Sequence, residues 1–436
     1  MPSRRTEPGR ADGGQPPRRD LSRREFLRRG ALGLGGCLWG WHAACGAAAP
    51  SNRLNLGCIG LGAIGGVHLT ALASDPRVEL RAVCDVDRER LRQARGVTAK
   101  RARGSADYRE LLATPDLEAV LIATPDHQHA TMAVAALRAG CDVYVEKPLA
   151  WGVAEGRAVV DTARRLHRIV QVGTQQRAQS HFRQVVELVR SGRLGEVKLV
   201  RCWKVGTGTP KAVPDSAPPA GLDWDRWLGP APWRPFNAGL CPYHWRWYWD
   251  FGGGYLTDWG VHLVDIVHWA MGEDRPRSVE ATGTFEPDAP HDTPATMDAT
   301  FEYRGFRLSW SQNGFRGAPD RDHGILFYGS KGRLLVDRNG FQVTPGDLRL
   351  PPIGPGDFQL PRVKGHFDEF LTSVRSRSVP SSDAAVGHAA STACVLGNLA
   401  LRLGRKLTWD GGAERFVDDP EADRLLARTP RAPYGW

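Results

Sequence analysis

Three side chains in this sequence, Lys147, Asp258 and His262, have the types and spacing needed to move protons to and from an alcohol. Lys147 directly follows an apolar run that predicts a strand, so its ammonium is expected in the crevice at the carboxyl edge of a sheet. There it would polarise a substrate hydroxyl and favour the alkoxide from which hydride leaves. Asp258 and His262 are four residues apart in a segment with a helical pattern, so they are expected to share one face.

The pair of Asp258 and His262 has three competing interpretations. It could supply two ligands of a metal site, or it could be a buried structural pair without chemistry. In the third interpretation His262 is a general base, and Asp258 fixes its tautomer or binds the substrate. The sequence does not cluster further ligands around the pair, so no metal is expected. Asp265 and His268 follow on the same segment, and we expect them to have packing or capping roles.

The scaffold for this chemistry is predicted over residues 53–173, as a Rossmann domain with a doubly wound parallel sheet. Short apolar runs alternate there with helical patterns such as TMAVAALRAG, and this order indicates βαβ units. The five runs that predict strands are LNLGCI, VELRAVC, EAVLIAT, CDVYVE and IVQVGT. The N-terminal part of the chain therefore has the pattern of an α/β fold.

The first predicted strand leads into GLGAIG, the glycine pattern of a dinucleotide-binding turn. The first glycine allows the tight turn, the second lets the backbone approach a pyrophosphate, and the third lets helix and strand pack closely. The pyrophosphate is expected on the unpaired amides at the start of the following helix. The cofactor-binding residues predicted in this turn are Gly60, Gly62, Ala63, Ile64 and Gly65.

Asp85 lies at the end of the second predicted strand, where a carboxylate can accept hydrogen bonds from the adenosine ribose hydroxyls. The same carboxylate would repel a 2′-phosphate, and Val86 offers no compensating cation. We therefore expect NAD rather than NADP. The alternative is an α/β domain that uses its glycines only for the first turn, with Asp85 merely solvated.

Residues 174–436 predict a second, α+β domain built on a largely antiparallel open sheet, because period-two alternation and Gly-containing turns dominate there. The late apolar segment AAVGHAASTACVLGNLALRLG is expected to pack back against the body. Nine of the fifteen tryptophans lie between Trp203 and Trp269, where they suit sugar rings, a core or a subunit interface. The candidate substrate contacts at the start of this domain are Gln175, Gln176, Arg177 and His181.

The first 49 residues resemble a twin-arginine signal peptide, because Arg23 and Arg24 precede a weakly apolar run that ends in alanines. Cleavage is expected near Ala49, which would make the protein periplasmic. A disordered basic tail and a lipoprotein cleavage box at Cys37 are the alternatives. No later segment is expected to reach the roughly 18 apolar residues of a membrane span, so no stable membrane insertion is predicted after cleavage.

The charge of the chain does not indicate a nucleic-acid partner. The leader holds nine arginines against four acids, which accounts for +5 of the formal +10. The remaining Lys and Arg residues are scattered among acids and aromatics rather than clustered on one element. The expected partner is therefore a small molecule, and neither DNA nor RNA is predicted.

Three motifs in a fixed order give the chain a resemblance to a known family. They are IATPDHQHA with Thr124, Pro125 and His129, then YVEKPLA, then GGGYLTDWGVHLVD. Behind a G-x-G-x-x-G turn, this order resembles the glucose-fructose oxidoreductase, inositol dehydrogenase and rhizopine-catabolism family (Gfo/Idh/MocA). The resemblance extends from about residue 54 to the end of the chain. It implies that Thr124, Pro125 and His129 belong to the cofactor site.

The resemblance also implies roles around the catalytic lysine. Glu146 would hold the ribose next to the nicotinamide, and Pro148 would fix the turn that aims Lys147, which then contacts both cofactor and substrate. It favours the proton-transfer interpretation of Asp258 and His262, which would also contact the substrate. A homodimer or homotetramer formed through the open sheet is implied as well.

The predicted function is that of an NAD-dependent oxidoreductase acting on a secondary alcohol of a sugar, polyol or glycoside. An exported enzyme meets no free nicotinamide pool, so its cofactor would be tightly held and recycled in each turnover. One alternative is a redox-neutral NAD-dependent glycosidase of the same family, which oxidises its substrate only transiently. Another is a non-catalytic, NAD-bound sugar sensor.

Overall fold

A six-stranded parallel sheet forms the first half of the fold in the computed structural model, which describes residues 52–206, 210–317, 320–345 and 353–435. The strand order is β3-β2-β1-β4-β5-β6, and every neighbouring pair is parallel. The strands are apolar and buried because helices cover both faces of such a sheet. The strands are β1 (Leu54–Ile59), β2 (Val78–Cys84), β3 (Arg103–Ser105), β4 (Ala119–Ile122), β5 (Asp142–Val145) and β6 (Val170–Val172).

Helices of this half begin at a polar capping residue or at a glycine that follows a strand. Asp87 accepts hydrogen bonds from the backbone amides of Glu89 and Arg90 and so begins α2, and Asp107 caps α3 in the same way. By contrast α1 begins at the glycine turn, where no side chain caps its first amides. The helices are α1 (Ala63–Ala73), α2 (Arg88–Val97), α3 (Tyr108–Leu112), α4 (His129–Arg138) and α5 (Val153–Arg165).

The second half contains a nine-stranded sheet in the order β15-β14-β13-β7-β12-β11-β10-β16-β17. All neighbours are antiparallel except β7 and β12, which run parallel. Two short strands, β8 and β9, form a separate antiparallel pair. The strands are β7 (Val197–Lys204), β8 (Asp215–Ser216), β9 (Phe236–Asn237), β10 (Ser278–Thr284), β11 (Thr296–Glu302), β12 (Arg307–Gln312), β13 (His323–Gly329), β14 (Gly332–Asp337), β15 (Gly340–Thr344), β16 (Leu407–Asp410) and β17 (Arg415–Phe416).

One face of this second sheet is covered by helices. A π-helical segment, Leu256–Gly260, leads directly into α8 and contains Asp258. Short 3-10 helices occupy Asp126–Gln128, Gln175–Ala178 and His244–Trp247. The helices are α6 (Ser180–Arg190), α7 (Trp224–Leu228), α8 (Val261–Met271), α9 (His366–Ser376), α10 (Ala384–Leu403) and α11 (Pro420–Asp423).

The late helices tie the two sheets into one compact unit that starts at Arg53. Helix α9 comes from the second half of the sequence, but its Phe370 and Leu371 join the core around Leu56 of β1. Helix α10 contacts α5 and β6 on one side, and α8 and β10 on the other. Residues that follow the predicted boundary at 173/174 therefore complete the core of the first sheet.

Two sequence-based expectations need correction here. The short strand β3 was not predicted, because its three residues RGS carry no apolar run. The expectation that no segment after the leader reaches membrane-spanning length is also wrong. Among the described residues α10 is long and apolar enough, but 78% of its apolar stretch is buried inside the fold, as in the core helix of a globular protein. The predicted signal peptide lies outside the described residues.

Candidate active site

The glycine turn after β1 forms a backbone cradle at the carboxyl edge of the parallel sheet. Gly60 has a φ of +83°, and a Cβ there would lie 2.7 Å from the carbonyl of Ala123. A Cβ on Gly65 would lie 2.0 Å from the oxygen of Gly60, so α1 packs directly on the turn. The uncapped first amides of α1 are left for an anion. The turn therefore fits the pyrophosphate of a dinucleotide.

Asp85 holds this turn together and lines the same cleft. Its carboxylate accepts hydrogen bonds from the backbone amides of Leu61 at 2.7 Å and of Asp87 at 2.8 Å. Burial raises the pKa of Asp85, and the two amide hydrogen bonds act against that rise. The predicted cofactor residues that line the cleft are Gly60, Gly62, Ala63, Ile64, Asp85, Thr124 and Pro125.

Side chains from the second half of the chain close the cleft over the parallel sheet. Trp227, Tyr243, Trp245 and Arg246 form its far wall, with Tyr434 from the C-terminal segment. The cleft contains about 1080 Å³ of empty space, counting the solvent at its mouth. The glycine cradle and the carboxylate of Asp85 thus fit NAD.

Lys147, Asp258 and Arg246 form the charged centre next to this cleft. The Lys147 ammonium donates to Oδ1 of Asp258 at 2.7 Å and to the carbonyl oxygen of Asp258 at 2.8 Å. Arg246, which also lines the cofactor cleft, donates from Nε to the same Oδ1 at 3.4 Å. Burial acts to raise the pKa of Asp258, but the neighbouring Lys147 and Arg246 cations hold it below its usual value. Asp258 is therefore an ionised carboxylate that positions the lysine.

His262 is buried at the same place but is not hydrogen-bonded to Asp258. Its pKa lies well below the usual value, first because of burial and then because Lys147 and Arg338 bring positive charge near it. Its Nδ1 atom is buried without a hydrogen-bond partner in the described parts of the chain. His262 is consequently neutral near pH 7 and able to accept a proton.

The expectation that Asp258 fixes the tautomer of His262 is therefore wrong. Asp258 lies in a π-helical segment, where i→i+5 hydrogen bonding widens the turn, so two residues four apart lose the alignment of an α-helix. The carboxylate of Asp258 and its own carbonyl both accept from Lys147 instead. The helix distortion thus serves to bring this carboxylate to the lysine.

Asp126 is a site residue that the sequence reasoning missed. It lies in the IATPDHQHA motif, in the first position of a 3-10 helix, and it is 5% exposed. Burial raises its pKa to about 8, although Lys147 and Arg246 act against this rise. Asp126 is therefore a protonated carboxyl at neutral pH, electrostatically coupled to the charged centre. Its position between two motif residues, Pro125 and His129, was the available signal.

A second group of missed residues surrounds the ring of Trp259. The Lys204 ammonium and the Arg338 guanidinium each lie 4.4 Å from the ring centroid, and the ring of His323 lies 4.8 Å away. The ring of His262 is 6.4 Å from that of Trp259. We call Trp259, Lys204, His323 and Arg338 the Trp259 cluster. Trp259, one of the nine clustered tryptophans, is thus at the site, Trp227 and Trp245 line the cofactor cleft, and Trp203, Trp224 and Trp247 are core residues.

Glu146 lies in a buried network behind Lys147. Its Oε1 accepts from Gln175 at 2.8 Å and from Tyr144 at 3.2 Å, and it contacts His68 Nε2 at 2.8 Å. Burial acts to raise the pKa of Glu146, but the hydrogen bond and charge of His68 hold it below its usual value. Glu146 directly precedes Lys147 and accepts a hydrogen bond from its backbone amide, so this network supports the strand end that carries the lysine. The ribose contact of Glu146 and the substrate contact of Gln175 stay predictions.

His129 joins the two loops that carry the site. Its Nδ1 lies 2.7 Å from the carbonyl oxygen of Pro148, and its Nε2 lies 2.8 Å from that of Thr124. Burial lowers its pKa. Since the ring is 1% exposed, His129 supports the cofactor loop from behind rather than lining the cleft.

The predicted substrate contact at Arg177 needs correction. Its guanidinium is 4% exposed and binds both carboxylate oxygens of Asp265 at 2.8 to 2.9 Å, as well as the carbonyl of Ser381. This pair confirms the packing role expected for Asp265. His181 bonds the carbonyl of Asp337 and Gln176 is buried. Arg177 is therefore a buried ion-pair residue, whereas the half-buried His181 and the buried Gln176, whose amide atoms have no partner among the described residues, stay candidate substrate contacts.

Two further observations complete the comparison with the sequence. His268 contacts the hydroxyl of Tyr303 at 2.7 Å, as its expected packing role requires. Within the described ranges, no group of three or more His, Cys, Asp or Glu side chains could hold a metal ion.

The comparisons with known proteins agree with this geometry. Residues 54–174 match the description "Oxidoreductase family, NAD-binding Rossmann fold", and residues 183–436 match "Oxidoreductase family, C-terminal alpha/beta domain". The class defined by fold and site is an NAD-dependent oxidoreductase that acts on CH–OH groups. The chain belongs to the Gfo/Idh/MocA oxidoreductase family, and NAD is its cofactor.

Curated relatives include two inositol dehydrogenases. Myo-inositol 2-dehydrogenase of Thermotoga maritima is 25% identical over 287 residues, which are 65% of this chain and 75% of that protein. Inositol 2-dehydrogenase of Salmonella typhimurium is 29% identical over 223 residues, which are 51% of this chain and 55% of that protein. The second match therefore covers little more than half of either protein.

Solved structures share the fold. The WlbA dehydrogenase from Bordetella pertussis in complex with NADH and UDP-GlcNAcA has a TM-score of 0.61 and 22% identity, covering 82% of this chain and 99% of that one. Aldose-aldose oxidoreductase from Caulobacter crescentus complexed with glycerol has a TM-score of 0.62 and 19% identity, again covering 82% and 99%. At these identities the likeness concerns the fold.

Proposed function

We propose that the protein is an NAD-dependent dehydrogenase that oxidises or reduces a secondary alcohol of a sugar, polyol or glycoside. The observation that carries this proposal is the Lys147–Asp258 pair beside the nucleotide cleft, which Arg246 connects to the cleft wall. The relatives named as inositol dehydrogenases support a polyhydroxylated substrate. A binding module without chemistry would not need an ammonium held at this place by an ionised carboxylate.

In the proposed reaction each residue of the centre has one task. NAD, when bound, supplies the hydride acceptor at its nicotinamide. Lys147 donates a hydrogen bond to the substrate hydroxyl and stabilises the charge that develops on its oxygen. Asp258 keeps the ammonium oriented, and neutral His262 accepts the hydroxyl proton.

The role of His262 is tested by comparing His262→Ala with His181→Ala, because His181 has no part in the proposed proton transfer and bonds the carbonyl of Asp337. Turnover is measured with a panel of sugars and polyols by absorbance at 340 nm. We expect at least a 100-fold loss of kcat for His262→Ala and little change for His181→Ala. Undiminished turnover of His262→Ala would show that His262 is not the proton acceptor. A wild type that binds sugars but turns none over would favour the sensor alternative.

We further propose that the protein is exported by the twin-arginine route with NAD already bound. Arg23 and Arg24 support the route, and the cleft wall of Trp227, Tyr243 and Trp245 supports a tightly held cofactor. In the periplasm such a cofactor must be restored in each turnover, because no free nicotinamide pool is expected there for it to exchange with. A redox-neutral glycosidase would meet the same requirement and is distinguished by release of a sugar from a glycoside without net oxidation.

This export proposal is tested in two ways. Mass spectrometry of small molecules released on denaturation should show NAD at close to one equivalent in protein recovered from the periplasm. Replacing Arg23 and Arg24 by Lys should retain the protein in the cytoplasm. Empty periplasmic protein, or a location unchanged by the replacement, contradicts the proposal. The homodimer or homotetramer stays a prediction, which light scattering of the purified protein would test.

A further inference from the structure

The Trp259 cluster brings positive charge to the substrate side of the active site. Lys204 and His323 are direct cross-strand partners at one end of β7 and β13. Arg338 reaches the cluster from the turn between β14 and β15, and its guanidinium lies 4.4 Å from the Trp259 ring. The cluster adjoins the reaction centre, because Trp259 follows Asp258 in sequence and its ring lies 6.4 Å from that of His262.

The charges of this region do not balance. Asp322 is the one acid that pairs with the cluster in the described residues, and it serves both Lys204 and His323. Arg338 makes no ion pair with any described carboxylate. The Trp259 cluster contains two side-chain cations, Lys204 and Arg338, against the one carboxylate of Asp322, so it carries a net charge of 2 − 1 = +1 with His323 neutral.

Buried polar atoms in the cluster also lack partners. The Nδ1 of His323 contacts Asp322 at 2.7 Å, but its Nε2 is buried and has no partner in the part of the chain that the structure describes. The Nδ1 of the neighbouring His262 is likewise buried without a hydrogen-bond partner among the described residues. Buried atoms of this kind are nearly always hydrogen-bonded in proteins, so the cluster is incomplete without a bound group.

Resting on the proposed function, we propose that the Trp259 cluster binds a carboxylate of the substrate, so that the substrate is a sugar acid or polyol acid. Arg338 supplies the free guanidinium that a carboxylate would engage through two hydrogen bonds. A monoanion suits the cluster better than a phosphate dianion, because Asp322 already neutralises one of its cations. Trp259 offers apolar ring surface beside that charge for the carbon skeleton.

The proposal is tested with matched substrate pairs on the full-length protein with saturating NAD. Glucose is compared with glucuronate, galactose with galacturonate, and glucose 6-phosphate is the phosphate probe. Reduction of NAD is followed at 340 nm, and binding is followed separately by calorimetry. We expect kcat/KM and affinity to favour the acids by about 10- to 100-fold, the range for a hydrogen bond to a charged group.

The decisive variant is Arg338→Gln, with Arg333→Gln as control, since Arg333 is exposed on the neighbouring strand β14 outside the cluster. Arg338→Gln should lower kcat/KM for the acids at least 10-fold more than for the matching neutral sugars, and Arg338→Lys should keep part of that preference. Arg333→Gln should behave as the wild type. Equal losses for acid and neutral sugar in Arg338→Gln would overturn the proposal.

The same experiment separates this inference from the proposed function. Acids that bind tightly through Arg338 without reducing NAD would support the carboxylate site and contradict the dehydrogenase. Neutral sugars that react as well as the acids would overturn the inference and leave the dehydrogenase standing. A stronger response to glucose 6-phosphate than to glucuronate would overturn the assignment of a carboxylate.

Discussion

The two walls of the active-site crevice differ in composition, because backbone groups form one and side chains form the other. The nucleotide wall on the side of the parallel sheet consists mainly of backbone: the turn at Gly60, the close contact of Gly65 with it, and the open amides of α1. The substrate wall consists of charged side chains, among them Lys147, Asp258 and Arg338, held by other side chains. A backbone wall recognises a group common to many ligands, whereas a side-chain wall can be changed one residue at a time. Substrate choice should therefore depend on the second wall alone.

The test with the largest expected effect removes the positive charge of Lys147 from the substrate wall. Lys147→Met should reduce the rate of NAD reduction by about 10³-fold, because the hydroxyl loses its polarising cation. NAD content should remain near that of the wild type, because the backbone wall is intact. Single-turnover absorbance at 340 nm and mass spectrometry measure the two quantities. A rate within tenfold of the wild type would contradict the role of Lys147. Loss of NAD together with activity would show that the substrate wall also holds the cofactor.

A second test concerns Arg177, which the sequence had suggested as a substrate contact. Arg177→Ala leaves the buried carboxylate of Asp265 without its partner, at a cost of about 3 to 5 kcal/mol in the free energy of unfolding. Urea unfolding at neutral pH measures this loss. At a temperature where the variant remains folded, KM should be close to that of the wild type. A raised KM with unchanged stability would show that Arg177 contacts the substrate.

The backbone wall is tested by adding one carbon atom at two neighbouring glycines. Gly65→Ala places a Cβ 2.0 Å from the oxygen of Gly60 and should lower NAD affinity by about 100-fold, since the cradle must shift. Gly66→Ala is the matched control, because its Cβ would have no neighbour closer than 3.9 Å. Calorimetric titration of the NAD-free proteins compares them. Equal affinities for NAD would show that the cradle is not what holds the cofactor.

The smallest expected effect concerns the protonated carboxyl of Asp126. Its pKa is raised to about 8, so the unfolded chain releases this proton at lower pH than the folded protein does. Stability from this group is therefore fully present at about pH 4 and is lost as the pH rises towards 8. The free energy of unfolding of Asp126→Asn minus that of the wild type should therefore increase by at least about 1.4 kcal/mol between pH 5 and pH 8.

Urea unfolding of wild type and Asp126→Asn at the two pH values checks this expectation. Asp116→Asn is a suitable control, since Asp116 is on the exposed loop before β4. A stability difference that does not change with pH would mean that Asp126 is ionised in the folded protein. Asp126 would then belong to the charged centre as a third carboxylate.

Sequence reasoning succeeded where a short stretch of chain determines the geometry. GLGAIG dictated the turn, the uncapped α1 and the contact of Gly65, because all of these are set within six residues and their neighbouring strand. The parallel sheet followed from the alternation of buried runs and helical patterns. Lys147, Asp258 and His262 were assigned to one site through the resemblance to the family, which the order of the motifs supplied.

Three failures at the site involve partners that are distant in sequence. Arg177 looked available because Asp265 is 88 residues away. The Trp259 cluster was missed because the pairing of Lys204 with His323 depends on the register of β7 and β13. The contact of Asp258 with Lys147 needed a π-helical turn, which no pattern of apolar residues indicates. Sequence patterns report local periodicity, whereas the substrate wall is an arrangement of tertiary contacts.

The account is tested most directly by mixing the purified protein, without added nucleotide, with a sugar acid such as glucuronate and recording absorbance at 340 nm. Because NAD is proposed to stay bound and the centre to oxidise an alcohol, the absorbance should rise by up to one equivalent of NADH per active site, and Lys147→Met should show no rise. No rise in wild-type protein shown by mass spectrometry to contain NAD, across sugar acids, neutral sugars and polyols, would contradict the account.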